Sequence, residues 1–170
     1  IVKEMADSIA LDLVSKNLVT DQLILVIDYD GKNISNSYQG ETTKDYYGRT
    51  VPKHANGTIN LTHKTSSSKY ITEEIINLYD KIINKNLLTR RITIVANNLT
   101  NINELKSTPK IEQFDLFTDY KKLEEEQLKI KKQEQEENKL QQTLLDIKNK
   151  YGKNAILRGM NLEEGSTAIE

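Results

Sequence analysis

Between Gln22 and Tyr29 the chain reads Leu23-Ile24-Leu25-Val26-Ile27, five aliphatic residues with no polar interruption. A strand sends alternate side chains to opposite faces, so a run that is apolar at every position predicts a strand buried on both. Any fold for this chain must cover that strand, and its neighbours offer the covering elements. Upstream, Val2, Met5, Ala6, Ile9, Leu13 and Val14 recur at the three-to-four spacing of an amphipathic helix over residues 1–16. The chain opens inside this helix with no cap before it, which reads as a piece of something longer.

Downstream, residues 57–64 alternate: Ile59 and Leu61 point one way, Thr58, Asn60, Thr62 and Lys64 the other, the pattern of a half-exposed strand. Thr65, Ser66, Ser67 and Ser68 offer helix caps in a row, and Ile71, Ile75, Leu78 and Ile82 then form the stripe of a second helix ending near Asn84 to Asn86. Arg91 to Ala96 alternates again, with Ile92 and Ile94 inward and Arg91 and Thr93 outward. The order helix–strand–strand–helix–strand predicts an α+β domain, a split βαβ sheet with two helices on one face and its first strand missing. Such a gap would leave costly unpaired backbone groups. Asn154 to Leu162, with its β-capable Ala155-Ile156-Leu157, or a strand from a second copy, is expected to fill it.

The rest is polar. Residues 30–56, with Gly31, Gly40, Gly48 and Pro52, read as loop or loose hairpin. A linker containing Pro109 follows Asn98. Thr118 and Asp119 can cap a long helix reaching to about Lys150, roughly 50 Å, which Gly152 would stop. Its middle, Glu124 to Lys139, is almost wholly charged or amide, while Leu140, Leu144, Leu145, Ile147 and Tyr151 restore an apolar face. A solvated helix and a helix awaiting a partner both fit; a seven-residue spacing (Leu123, Ile130, Leu144, Tyr151) supports the second and Glu137 interrupts it. The expected organisation is a domain over 1–101, a linker over 102–119 and a charged helix with a terminal segment over 120–170.

Lys+Arg 24 against Asp+Glu 25 gives a net charge of -1, so DNA contact would need a local patch. Cysteine is absent, which removes disulfides, thiolate catalysis and cysteine-ligated zinc. No apolar run approaches a membrane span and no signal pattern opens the chain, so it reads as cytoplasmic. The Asn-x-Ser/Thr triplets at Asn33, Asn56, Asn60 and Asn98 then carry no meaning for glycosylation. Phosphate-binding and nucleophile-turn motifs are missing, and His54 and His63 have no ligand-spaced companion. Asp28 and Asp30 could form a two-metal pair, although Asp-x-Asp-Gly is also ordinary turn chemistry. The chain reads as one that performs no chemistry itself.

Binding features are richer. Thr58, Asn60, Thr62 and Lys64 on one strand and Arg91 and Thr93 on another, beside Arg90, suit phosphate oxygens; a plain solvated sheet face has the same pattern. Ser66, Ser67, Ser68 and Lys69 at a helix start would add backbone N–H donors. In the polar tail, Gln113-Phe114-Asp115-Leu116-Phe117 resembles the peptide that bacterial proteins insert into the replication sliding clamp. Phe114 and Phe117 could instead fold back on their own domain.

Gly57-Thr58-Ile59-Asn60-Leu61, the Ser/Thr run before the second helix and Leu88-Thr89-Arg90-Arg91-Ile92-Thr93-Ile94 resemble the little-finger domain of Y-family (DinB/UmuC-type) translesion DNA polymerases. The clamp-like peptide and the terminal phrase from Lys150 to Leu162 strengthen the likeness, which is nearest to UmuC-like repair proteins of Gram-positive bacteria. The resemblance implies a little finger that grips duplex DNA and a tail that docks on the sliding clamp, within DNA repair after DNA damage (the SOS response). It implies Mg²⁺-dependent nucleotidyl transfer in the parent polymerase. Nothing here matches the palm carboxylates, so this region would need no cofactor. The first rival expectation is a protein–protein interaction module using the long helix, with no DNA role; the second is a small enzyme using Asp28 and Asp30.

Overall fold

The computed structural model describes residues 1–35, 38–107, 120–152 and 154–162. In chain order the elements are α1 (Val2–Ser15), β1 (Leu18–Tyr29), β2 (Thr42–Lys44), β3 (Thr50–Pro52), β4 (Ala55–Thr65), α2 (Ser68–Ile82), β5 (Thr89–Asn97), β6 (Thr100–Asn101), α3 (Ile102–Ser107) and α4 (Tyr120–Tyr151). Short 3-10 turns lie at Gly31–Asn33 and Gly159–Leu162.

The aliphatic run forms the centre of the sheet. β1 pairs antiparallel with β4 along one edge and with β5 along the other, and β6 extends the ladder at Leu18 and Val19. β4 and β5 are therefore parallel to each other with β1 between them. With α2 as the crossover this is a split βαβ unit in an α+β fold. β1 fills the central place itself, so the expected gap does not exist. Asn154–Leu162 makes no ladder contact and instead ends in a 3-10 turn.

Burial along β1 departs from the expectation of two covered faces. Leu23, Leu25, Ile27 and Tyr29 are buried, whereas the alternate residues Gln22, Ile24, Val26 and Asp28 remain half-buried. Both helices lie on one face: Ala6, Ala10 and Leu13 of α1 and Ile71, Ile75 and Leu78 of α2 share a single cluster with Leu23, Leu25 and Ile27. Each leucine and isoleucine among them contributes roughly 1.5–3 kcal/mol on burial. Gly57 lets α2 lie close to the sheet, because a Cβ there would meet Leu78 Cδ1 at 2.8 Å and Ile82 Cγ2 at 3.2 Å. The other sheet face has no helix across it among the described residues.

α2 begins as the Ser/Thr run predicts. Ser67 is its N-cap, accepting from the Tyr70 N–H at 3.2 Å. The long helix ends as predicted too, at Gly152, whose φ of +101° suits glycine and whose N–H reaches the Lys148 carbonyl at 2.9 Å. Its middle is not simply solvated, however. Glu134, Glu137 and Gln141 face the start of α2, and Gln141 is 1% exposed with Nε2 donating to the Ser66 carbonyl at 3.2 Å. Beyond the helix, Arg158 pairs with the buried Asp7 of α1 at 2.7 Å and donates to Ser68 Oγ at 3.1 Å. Asn161 donates to Glu4 at 2.9 Å. The terminal segment thus docks on α1 through polar contacts rather than joining the sheet.

Candidate nucleic-acid interface

The open face of the sheet is built in rows across three strands. Register places Asn60, Gln22 and Asn97 side by side, then Thr58, Ile24 and Val95, then Asn56, Val26 and Thr93, and Asp28 beside Arg91. The first row is a chain of amides: Gln22 Nε2 donates to Asn60 Oδ1 at 2.9 Å, and Asn97 Nδ2 donates to Gln22 Oε1 at 3.1 Å. The last is an ion pair, with Arg91 Nε and Nη2 on Asp28 Oδ2 at 2.8 and 2.7 Å. The Arg91 side chain is nevertheless 73% exposed.

Of the predicted residues, Thr58, Asn60, Thr93 and Arg91 share this face. Thr62 and Lys64 do not keep the alternation. Between the pairs Gln22–Asn60 and Thr20–Thr65, β1 spends only Asp21 while β4 spends Leu61, Thr62, His63 and Lys64. This irregularity re-aims the side chains, as bulges do. Thr62 Oγ1 turns to the Tyr70 hydroxyl at 3.1 Å and to His63 Nδ1 at 3.0 Å, on the α2 side. Lys64 reaches Asp21 at 3.8 Å and the Thr100 hydroxyl. Arg90 stands at the second irregularity, between Asp28 and Tyr29, and points its Nη1 to Asp45 at 3.4 Å.

The predicted phosphate cradle at the start of α2 is already filled by the chain's own carboxylates. Ser66 and Ser67 are buried. Glu137 accepts from Ser67 Oγ at 2.6 Å and from the Lys69 N–H at 2.9 Å. Glu134 Oε1 accepts from Thr65 Oγ1 at 2.6 Å and lies 2.8 Å from His63 Nε2, whose ring stacks on Tyr70 at 5.3 Å. A helix N-terminus attracts negative charge, and here α4 supplies it. Ser66 and Ser67 are therefore removed from the DNA-contacting set. Lys69 remains exposed, but on the helix side of the sheet. No sequence signal linked α2 to glutamates some seventy residues downstream.

Asp28 and Asp30 are each engaged by the chain itself. Asp28 holds Arg91, and Asp30 accepts from the Lys32 N–H at 2.8 Å to cap a 3-10 turn. Among the described residues no three His, Cys, Asp or Glu side chains gather as metal ligands. Gln113, Phe114, Asp115, Leu116 and Phe117 lie outside the described residues.

The β2–β3 hairpin, in the stretch read from the sequence as loop or loose hairpin, adds a feature that reading did not single out. Its turn is organised by Asp45, whose Oδ1 accepts from the Tyr47 and Arg49 N–H groups at 2.9 Å each and whose Oδ2 pairs with the Arg49 guanidinium at 2.8 Å. Partial desolvation pushes the Asp45 carboxyl up, but these hydrogen bonds and the Arg49 charge outweigh it and hold it below its ordinary value. Tyr46 and Tyr47 stand at the tip. The adjacent Tyr46-Tyr47 pair in a polar stretch was the signal that could have marked this site.

No protein-family model matches the chain, and no curated protein matches it. No helix among the described residues is long and apolar enough to cross a membrane.

Proposed function

We propose that this chain is the little-finger-like and C-terminal part of a Y-family polymerase-like DNA repair protein, working in the cytoplasm. Its open sheet face grips the DNA backbone without reading sequence, and Gln113 to Phe117 docks on the sliding clamp during translesion synthesis. Chemistry would belong to the Mg²⁺-dependent core of the parent. The observation that carries this reading is the sharing by Thr58, Asn60, Thr93 and Arg91 of one sheet face that no helix of the described residues covers. Hydroxyls, amides and a guanidinium at strand spacing donate to phosphate oxygens and set register without reading bases. The clamp contact rests on the pentapeptide alone.

Titration with random-sequence duplex DNA tests the grip. Wild type should bind, and Thr58→Glu with Thr93→Glu, which places two negative charges on the face, should abolish binding while leaving the melting temperature nearly unchanged. Binding that survives both charges would move the interface elsewhere.

One observation favours a second reading, an interaction module on the long helix: Leu140 and Tyr151 are 59% and 68% exposed and lie about three turns apart on α4. A protein partner lost on Leu140→Asp, with no DNA bound by the wild type, would establish that reading instead.

A further inference from the structure

The tip of the β2–β3 hairpin presents two aromatic rings to solvent on a rigid base. Tyr46 is 96% exposed and Tyr47 74% exposed, the rings edge-to-face at 5.4 Å. Large aromatics left in water on a pinned turn have no role in the core, since the nearest buried residues of the hairpin are Val51 and Pro52. The turn cannot easily fold them away, because Asp45 ties both the backbone and the Arg49 side chain. Arg49 also lies over the Tyr47 ring at 5.1 Å.

Around the hairpin Lys44, Arg49, Lys53, Arg90 and Arg91 outnumber Glu41, Asp45 and Asp28, with Arg49 and Arg90 paired to Asp45, Lys53 to Glu41 and Arg91 to Asp28. A groove of about 470 Å³ runs between the hairpin tip and the end of the sheet, lined by Tyr46, Tyr47, Lys44, Arg90 and Arg91 together with the carboxylates of Asp28 and Asp45. Arg91 belongs both to this groove and to the open sheet face, so the two surfaces are continuous. Exposed rings beside cations are the composition that binds single strands: bases stack on the rings while the cations follow the backbone.

We propose that Tyr46 and Tyr47 form a stacking finger for unpaired bases of a DNA strand leaving the duplex, with Lys44, Arg90 and Arg91 meeting its phosphates. This rests on the duplex-gripping role of the sheet face and adds where the single-stranded portion goes.

The test compares a blunt duplex with the same duplex carrying a single-stranded overhang, with 2-aminopurine in the overhang reporting stacking. Wild type should prefer the overhang and quench the fluorophore. Tyr46→Ala with Tyr47→Ala should lose on the order of tenfold or more in overhang affinity, keep blunt-duplex affinity and lose the quenching. Tyr46→Phe with Tyr47→Phe, which keeps both rings, should behave as wild type. Blunt-duplex binding with no overhang preference, or a preference the alanine variant retains, overturns the stacking finger alone. Absence of binding to any DNA overturns it together with the grip. Alanine changes that leave DNA binding intact but release a protein partner assign the rings to that partner, and the finger fails.

Discussion

Ser67 and Glu137, seventy residues apart, close the start of α2: the Ser67 hydroxyl donates to Glu137 Oε2 at 2.6 Å while the Lys69 N–H donates to Oε1 at 2.9 Å. One carboxylate thus satisfies a cap hydroxyl and a helix N–H that would otherwise face an anion from outside. Ser67 in turn accepts from Tyr70 N–H, so the cap is shared between two elements. Charge-assisted hydrogen bonds fasten the long helix to the start of α2, and Leu144, Leu145 and Ile147 farther along it are half-buried.

Glu137→Ala is expected to destabilise the chain by about 1–2 kcal/mol, the scale of a lost cap with one charged hydrogen bond. Urea midpoints measure this. An unchanged midpoint would mean that α4 does not rest on α2 in solution.

Gly57→Val should cost about 1–3 kcal/mol, because the new side chain meets Leu78 and Ile82 where α2 crosses the sheet. A neutral effect in the same denaturation series would show that α2 can move outward freely.

The hairpin tip should respond to acid only at low pH. A carboxyl held below its ordinary 3.8 contributes stability above that value and loses it as pH falls through the lower, folded value. Amide resonances of Tyr47 and Arg49, both bound to Asp45 Oδ1, should therefore shift together below pH 3.8. Joint shifts centred at or above 3.8 would mean that the Asp45 bonds are absent in solution.

The sheet's core strand and both of its helices were legible in the aliphatic run and the Ile71–Ile75–Leu78 stripe, because periodicity encodes burial directly. Burial on one face only was not legible. Ile24 and Val26 are as apolar as the residues that face the helices, yet only the topology decides that, among the described residues, no helix crosses their side. Alternation predicted Thr58, Asn60, Arg91 and Thr93 correctly but failed at Thr62 and Lys64, where four residues of β4 pass a single residue of β1. The serines before α2 advertised a helix start and, as isolated sequence, an anion site. Glu134 and Glu137 fill it, and such long-range pairing leaves no local trace. The central strand expected to be missing was β1 itself, since order along a chain does not fix order across a sheet.

Leu116→Ala with Phe117→Ala should abolish retention of the chain on immobilised sliding clamp while leaving thermal unfolding nearly unchanged. The expectation comes from two large apolar side chains on a polar tether. A strongly lowered melting temperature would place both residues in the core and end the docking idea.

The grip on DNA is tested most directly by the salt dependence of duplex binding in wild type and Arg91→Ala. Each phosphate neutralised adds about -0.9 to the slope of log K against log salt. Wild type should show a negative slope of at least one such contact, and Arg91→Ala should flatten it by about 0.9 while weakening all sequences alike. An unchanged slope, or a loss confined to particular sequences, would contradict backbone grip by this face.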